Sequence, residues 1–437
     1  MIIIPVGASG EVTGSSFFCQ TDELSFLVDF GLYQGADAAR KNKEPLPFDP
    51  KELDFIIVTH AHMDHSGRLP LLVKAGFKGK IFMSPLSKEL IQLLLMDSAS
   101  IQEEGEDPLY TKDDVYDTLA YCYSIEEEEH CEGDICFEFR ESGHLLGSRF
   151  VTITYKNKKY TFSGDMGRQE SLLYKRFDNR PYADVLICES TYGDSIHPPY
   201  QKAVAALYEA IYKAFKKGHT VIIPAFSIGR SAEVIYALTR YAHLRNDMKH
   251  FLEMPIYMDS PMGIEALQLY KKNVNALKAD IQPDYFTPDN LTLLEAGGSF
   301  ALDRNEEPKL IISSSGMVEG GHIIHHLESF LPRSNTTVIF VGFQEESTRG
   351  RKIQKGEIMV DFPNGPVHNN ATILTIRGFS GHGDCNDLLE WIESSSRPKE
   401  LYLNHGEPDT LFHFRNDLTQ LGYLVQICEK NTPLKLL

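Results

Sequence analysis

The segment from residue 55 to residue 65 sets the strictest limit on how this chain can fold and what it can bind. Residues 55–59, FIIVT, form an apolar, β-branched run typical of a buried strand, which ends in the hexapeptide HAHMDH. Zinc prefers imidazole nitrogen and carboxylate oxygen, and the turn after the strand can aim His60 and His62 at one point. Asp64 and His65 can face a second point. Solvated histidines at a polar strand end would explain one of these residues but not four, so the segment predicts a site for two metals.

Length and composition predict a soluble, cytoplasmic protein with no membrane partner. A chain of 437 residues is too long for a single hydrophobic core, so we expect two or three domains. The chain is 42% hydrophobic and has no apolar run of membrane-spanning length. Its start, MIIIPVG, reads as a strand rather than a signal peptide. Seven irregularly spaced cysteines suggest reduced thiols and no disulfide framework.

The charge balance excludes a general attraction for nucleic acid. There are 43 basic and 61 acidic residues, which gives a net charge of −18. A substrate that carries phosphate would therefore depend on bound metals or on a local basic pocket.

Three further predicted strands end in acidic or imidazole side chains. Asp29 lies near the end of the predicted strand of residues 25–31 and is expected to accept a hydrogen bond from a metal-binding imidazole; a turn carboxylate before glycine is an equal alternative. His144 and Asp165 follow two later strands and supply ligands that HAHMDH lacks, with Asp165 as the bridge between two zincs. A lone histidine or turn aspartate is more often structural, so this assignment depends on both residues lying at strand ends and both supplying ligands that the first cluster lacks.

Residues 201–343 alternate apolar strands with helical stretches, the pattern of a parallel sheet covered on both faces. Ligands usually bind at the carboxyl ends of such strands, so Arg230 and Gly316 are candidate substrate contacts. A salt bridge is the equal alternative for Arg230. Two later strands again precede histidines, His382 and His405, so we expect the tail to rejoin the first domain and His405 to line the cleft.

The motifs resemble those of a known family. HAHMDH matches the HxHxDH signature of the metallo-β-lactamase superfamily, and His144 and Asp165 match its next two ligand motifs. Glu189, in ESTYGD, is similar to acidic motif A of the β-CASP group; its alternative is a strand-end cap. His325 and His382 fall at motifs B and C. The chain thus resembles the β-CASP ribonucleases over nearly its whole length.

The resemblance implies an α/β fold in which a four-layer αβ/βα sandwich carries an inserted β-CASP domain with a parallel sheet. It implies a first part of the metallo-β-lactamase domain at 1–200, a β-CASP domain at 201–345, and a return to the first domain at 346–437.

The resemblance also implies two Zn²⁺ ions per chain. One would be bound by His60, His62, His144 and Asp165, and the other by Asp64, His65, His382 and the shared Asp165. A hydroxide between the two zincs would attack phosphorus in line and leave a 5′ phosphate and a 3′ hydroxyl.

The candidate catalytic residues are Asp64, Glu189 and His325. His325, steadied by Glu189, is expected to contact the phosphate or protonate the leaving oxygen. The alternative for His325 is a surface position on a histidine-rich helix.

These features predict a zinc-dependent ribonuclease for single-stranded RNA, acting by internal cuts, by 5′ to 3′ trimming, or by both. The alternatives are a β-CASP DNA nuclease, a small-molecule metallo-hydrolase and a non-catalytic scaffold. DNA-processing members typically lack histidine at motif C, which favours RNA. A small-molecule site would not need the insertion, and scaffolds lose ligands that this chain keeps. A homodimer is one alternative for the oligomeric state.

Overall fold

The computed structural model describes residues 1–35, 37–126, 129–245, 251–294 and 297–436. The chain divides into two compact units. The first comprises Met1–Ile196 and Gly381–Leu437, and the second comprises His197–Ser380.

The strands are β1 (Ile2–Gly7), β2 (Ser16–Gln20), β3 (Ser25–Phe30), β4 (Phe55–Ile57), β5 (Lys80–Met83), β6 (Cys122–Ser124), β7 (His130–Glu132), β8 (Ile135–Glu141), β9 (Arg149–Tyr155), β10 (Lys158–Phe162), β11 (Val185–Cys188), β12 (Thr220–Pro224), β13 (Ile256–Asp259), β14 (Leu291–Leu293), β15 (Leu310–Ser313), β16 (Thr336–Phe340), β17 (Met359–Phe362), β18 (Gly365–His368), β19 (Thr372–Thr375), β20 (Glu400–Leu403) and β21 (Val425–Ile427).

The helices are α1 (Ala38–Lys41), α2 (Met63–Ser66), α3 (Leu69–Lys74), α4 (Pro85–Glu103), α5 (Lys112–Ala120), α6 (Tyr200–Lys216), α7 (Arg230–Leu244), α8 (Pro261–Lys272), α9 (Gly298–Arg304), α10 (His322–Phe330), α11 (Arg349–Gln354), α12 (Cys385–Glu393) and α13 (Pro408–Gln420). Among these described helices, none combines the length and apolar character needed to cross a membrane.

The first unit contains two sheets that pack face to face. Their strand orders are β1-β2-β3-β4-β5-β6 and β21-β20-β11-β10-β9-β8-β7. Alternate side chains of a strand point to opposite faces, so Val28 and Ile57 enter the core between the sheets with Phe162, whereas the buried Leu27 and Ile56 face the other way.

Helices cover the outer faces of these sheets. Trp391 of α12 and Phe414 of α13 pack with Leu186 against the second sheet. Leu72 of α3 and Leu90 of α4 are buried on the helical side of the first sheet. This is the predicted four-layer arrangement.

The second unit is built on a parallel sheet with strand order β14-β13-β15-β12-β16-β19. Its central strand β12 is buried along its whole length, as expected for a parallel sheet covered on both faces. An antiparallel hairpin, β17–β18, follows α11 in the chain.

The second unit extends further along the chain than the predicted boundary at residue 345. Strand β19 pairs in parallel with β16 and so belongs to the sheet of the second unit. The chain therefore re-enters the first unit at Gly381 rather than at residue 346. The unit begins at His197, close to the predicted 201.

One pair of cysteines differs from the expectation of reduced thiols. Cys131 and Cys136 form a disulfide, because they lie directly opposite each other in the β7–β8 hairpin. The expectation is wrong at this pair, since a spacing of five residues gave no sign of the hairpin register. The other five cysteines are free thiols.

Candidate metal centre

Strand ends of the first unit bring together two groups of four side chains that could bind a metal ion and that share one aspartate. The loop after β4 and helix α2 carry the HAHMDH segment, and single residues follow β8, β10 and β20. The first group is His60, His62, His144 and Asp165, and the second is Asp64, His65, Asp165 and His405. A smaller set that also includes Asp165 consists of Asp165, Glu189 and His382.

The first group has the dimensions of a tetrahedral zinc site. His62 Nδ1 lies 3.2 Å from His60 Nε2 and 3.1 Å from His144 Nε2. Asp165 Oδ2 lies 3.4 Å from His60 Nε2 and 3.5 Å from His144 Nε2. A tetrahedron with zinc–nitrogen bonds of about 2.05 Å has edges of about 3.3 Å. The four atoms therefore surround a space of the right size for this ion.

The second group has similar dimensions. His65 Nε2 lies 3.2 Å from Asp165 Oδ1 and 3.3 Å from His405 Nε2. His405 Nε2 in turn lies 3.6 Å from Asp64 Oδ2. Asp165 thus presents one carboxylate oxygen to each group, as a bridging ligand would.

The environment of Asp165 fits bound cations. The residue is 1% exposed, and neither carboxylate oxygen has a hydrogen-bond partner among the described residues. Burial alone would raise the pKa of the Asp165 carboxyl, but His65 and His405 outweigh this effect and hold that pKa well below its usual range. A buried ionised carboxylate without hydrogen bonds is costly unless it is paired or binds a metal.

The histidines of the first group are held in their ligand form. Burial lowers the pKa of the His62 imidazole to about 3, and it also lowers the pKa values of His60 and His144. Neutral imidazoles keep a lone pair for a metal, so these residues fit a transition-metal site.

Asp29 orients His65. Its carboxylate accepts hydrogen bonds from the Thr59 backbone N–H (2.7 Å) and the Thr59 hydroxyl (2.8 Å), and it lies 2.8 Å from His65 Nδ1. An ionised carboxylate can only accept, so Nδ1 carries the proton and Nε2 is left for the second group. Asp29 has a φ of +60°, an uncommon conformation that this network maintains.

His405 is oriented by two contacts within the first unit. Its Nδ1 lies 3.1 Å from the Thr191 hydroxyl, and its backbone N–H donates to the Ala8 carbonyl at 2.8 Å. Both Ala8 and His405 have positive φ values, 53° and 52°. The sequence signal for this site was the NHG turn directly after an apolar strand.

His382 contacts Glu189 rather than completing the second group. Its Nδ1 lies 3.1 and 3.3 Å from the two carboxylate oxygens of Glu189, and its Nε2 is 3.8 Å from Asp165 Oδ2. Glu189 is fixed by hydrogen bonds from the backbone N–H groups of Met166 and Thr191. Burial would lower the pKa of His382, but Glu189 and Asp165 raise it to about 9.

Comparisons with known proteins agree with this architecture. A model of the metallo-beta-lactamase superfamily matches residues 9–225, and a Beta-Casp domain model matches 232–353. A model of the Zn-dependent metallo-hydrolase RNA specificity domain matches 366–428. Ribonuclease TTHA0252 of Thermus thermophilus is 34% identical over 435 residues, with 98% of each chain covered. The chain belongs to the β-CASP group of the metallo-β-lactamase superfamily. It is a metal-dependent hydrolase.

Longer relatives share the same region. The transcription termination factors FttA of Pyrococcus horikoshii and Methanosarcina mazei are 33% and 29% identical, and each match covers 93% of this chain. The chain spans 66% and 67% of their lengths. A crystal structure of a protein of unknown function from Enterococcus faecalis has the same fold, with a TM-score of 0.59, 12% identity and 99% of both chains covered.

Three of the predicted site residues lie in the β-CASP unit and have other contacts there. His325 Nε2 lies 3.1 Å from Asp303 Oδ2. Arg230 forms an ion pair with Glu233 within α7, the alternative that the sequence left open. Gly316 packs against Phe226. Of the residues predicted for the second group, the structure brings Asp64, His65 and Asp165 together. His405 completes that group of four, and His382 lies beside Glu189.

Proposed function

We propose that this β-CASP protein is a zinc-dependent ribonuclease that hydrolyses phosphodiester bonds of single-stranded RNA to 5′-phosphate and 3′-hydroxyl ends. The observation that carries the proposal is the pair of four-ligand groups joined by Asp165, with His382 and Glu189 beside them. The RNA-specificity family model and the ribonuclease from Thermus thermophilus support RNA as the substrate.

The two ligand groups suit two Zn²⁺ ions. His60, His62 and His144 would bind one ion, Asp64, His65 and His405 the other, and Asp165 both. When bound, zinc supplies a Lewis acid that activates a shared water near neutral pH and offsets phosphate charge. Asp29 and Thr191 hold the imidazoles of His65 and His405 through their Nδ1 atoms, which would leave each Nε2 for the second ion.

His382 is the proposed general acid. Its contact with Glu189 stabilises the imidazolium, and Asp165 lies within 4 Å of its Nε2. As the attacking oxygen forms its bond to phosphorus, the bond from phosphorus to O3′ breaks, and the His382 proton passes to O3′. This role replaces the one predicted for His325.

The preference for single-stranded RNA is inferred from the charge of the chain. The net charge of −18 disfavours broad electrostatic binding of duplexes, so contacts with exposed bases of a single strand are the better source of affinity. Internal cleavage and 5′ to 3′ trimming would use the same residues. The cytoplasmic location and the homodimer stay predictions.

The test compares zinc-loaded wild type with the variants Asp64→Ala/His65→Ala and His382→Gln on 5′-labelled single-stranded RNA and on DNA of the same sequence. We expect RNA cleavage by the wild type, none by the double variant, and a loss of about 10²- to 10⁴-fold in His382→Gln, the range for general acid catalysis. His413→Gln, an exposed histidine on α13, is the control. No RNA cleavage by wild type holding two zincs per chain would refute the proposal.

A further inference from the structure

Exposed phenylalanines are concentrated in the β-CASP unit. Within the described residues, four of the chain's 25 phenylalanines are exposed, and three of these lie in that unit. Phe226 is 38% exposed and Phe343 is 46% exposed. Phe226 lies in the loop after β12, and Phe343 lies in the loop after β16.

Phe226 and Phe343 follow neighbouring strands at the same edge of the parallel sheet. Phe226 comes after β12 and Phe343 after β16, and these two strands pair directly. The loop after β15, on the other side of β12, brings Gly316 against the Phe226 ring, since a Cβ there would lie 2.9 Å from Phe226 Cδ2. A Cβ on Gly342 would lie 3.7 Å from Phe226 Cε2. The loop after β15 and the loop after β16 therefore both approach the Phe226 ring.

The backbone beneath both rings is held by hydrogen bonds. The Ser231 hydroxyl donates to the Phe226 carbonyl at 2.9 Å. The Gln344 amide donates to the carbonyls of Gly316 and Phe343, each at 2.8 Å, and so ties the loop after β16 to the loop after β15. Rings on a fixed backbone lose little conformational entropy when a planar ligand stacks on them.

We propose that Phe226 and Phe343 form a stacking platform for bases of single-stranded RNA. The inference rests on the proposed ribonuclease function and adds a subsite to it. Ligands of open α/β sheets bind at the carboxyl ends of the strands, and every base offers a π face to an aromatic ring. An acidic chain gains little from phosphates, so base stacking supplies affinity that charge does not. Gly316 and Gly342 keep the space beside Phe226 clear of side chains.

The test measures kcat and KM for cleavage of single-stranded RNA by zinc-loaded Phe226→Ala and Phe343→Ala. We expect KM to rise roughly 5- to 150-fold in each, the range for loss of one stacked base, with kcat within about twofold of wild type. Phe226→Trp and Phe343→Trp should restore KM. Tyr116→Ala on α5, whose ring is 59% exposed, is the matched control and should leave KM unchanged.

A fluorescence measurement separates stacking from a structural effect. In the slowly cleaving His382→Gln background, RNA with 2-aminopurine at successive positions should be quenched at the stacked positions, and each alanine change should remove that quenching. Wild-type cleavage together with unchanged KM and quenching in both alanine variants would overturn the platform and leave the ribonuclease standing. Conversion of a dimer to a monomer by both changes, in sedimentation velocity, would show that the rings cover a second copy instead. No RNA cleavage by wild type would refute the function itself.

Discussion

Asp165 determines how the site works at the scale of single residues. Its two carboxylate oxygens are buried, have no hydrogen-bond partner among the described residues, and face different ligand groups. Leaving such a carboxylate unpaired would cost several kcal/mol, so a metal ion bound beside Asp165 would stabilise the fold. Two histidines near Asp165 have different contacts. The Nε2 atom of His405 faces Asp64, whereas the Nδ1 atom of His382 contacts Glu189.

This difference predicts distinct effects of two histidine substitutions. His405→Ala removes a ligand of the second group, so we expect a protein that retains about one zinc per chain after dialysis. His382→Ala removes no ligand of either group and should retain about two. Zinc content by atomic emission, measured beside RNA cleavage, checks both. Loss of one zinc in His382→Ala with two retained in His405→Ala would restore the assignment made from sequence.

The sequence predicted candidate metal ligands where they are close together in the chain. HAHMDH carries four candidate metal ligands in six positions after a strand, and its interpretation needed nothing from the rest of the chain. The choice between His382 and His405 was not local, because it depends on which sheet each preceding strand joins. Strand β19, before His382, pairs with β16 in the second unit, whereas β20, before His405, pairs with β11.

At the scale of elements, the first unit places its site through strand order. The sequence β20-β11-β10 sets His405, Glu189 and Asp165 at adjacent strand ends. The pairing of β11 with β20 joins residues that are far apart in the chain, such as Leu186 and Leu401, and no spacing in the sequence encodes it. Helix α2 is held beside the end of β3 by a backbone hydrogen bond, which the N–H of Leu32 donates to the Met63 carbonyl at 2.7 Å.

Gly31, directly after β3, is where this packing leaves no space. A Cβ on Gly31 would lie 1.6 Å from the Asp64 carbonyl oxygen and 2.7 Å from the His65 nitrogen. Gly31→Ala should therefore displace α2, lower the free energy of unfolding by about 1–3 kcal/mol or more, and weaken zinc binding at the second group. Urea unfolding and zinc titration measure the two effects.

Gly320→Ala is the control for this substitution, since a Cβ there meets nothing within 4 Å. Equal stability and zinc affinity in Gly31→Ala and Gly320→Ala would show that α2 can move without cost.

At the scale of the whole molecule, each unit contains buried charge but neutralises it differently. In the second unit, His326 Nε2 lies 2.8 Å from Asp259 and His326 Nδ1 lies 2.6 Å from Asp303. His326 bridges these two carboxylates, whereas the single Asp165 carboxylate lies 3.2–3.5 Å from the imidazoles of His60, His65 and His144. Several imidazoles around one carboxylate fit a metal site in the first unit, and one imidazole between two carboxylates fits a structural ion-pair network in the second. The sequence showed the histidines of α10 but not their aspartates, which come from distant elements.

The His326 network predicts a pH dependence of the second unit. Burial would lower the pKa of His326, but Asp259 and Asp303 raise it to about 9, against about 6.5 in an unfolded chain. A raised folded-state pKa contributes stability that is fully present below pH 6.5 and is lost as pH rises through 9, by at most about 3 kcal/mol. We expect amide protection in α10, corrected for intrinsic exchange, to fall between pH 6.5 and pH 9.5.

Hydrogen exchange of the zinc-loaded protein resolves the two units, and the fluorescence of Trp391, the single tryptophan, reports separately on the first. His326→Gln should weaken the protection of α10 at pH 6.5 and remove most of its slope with pH, because glutamine cannot carry the charge that the two carboxylates stabilise. His413→Gln, an exposed histidine in the first unit, should keep the wild-type slope. A slope that persists in His326→Gln would mean that another group in the second unit takes up the proton.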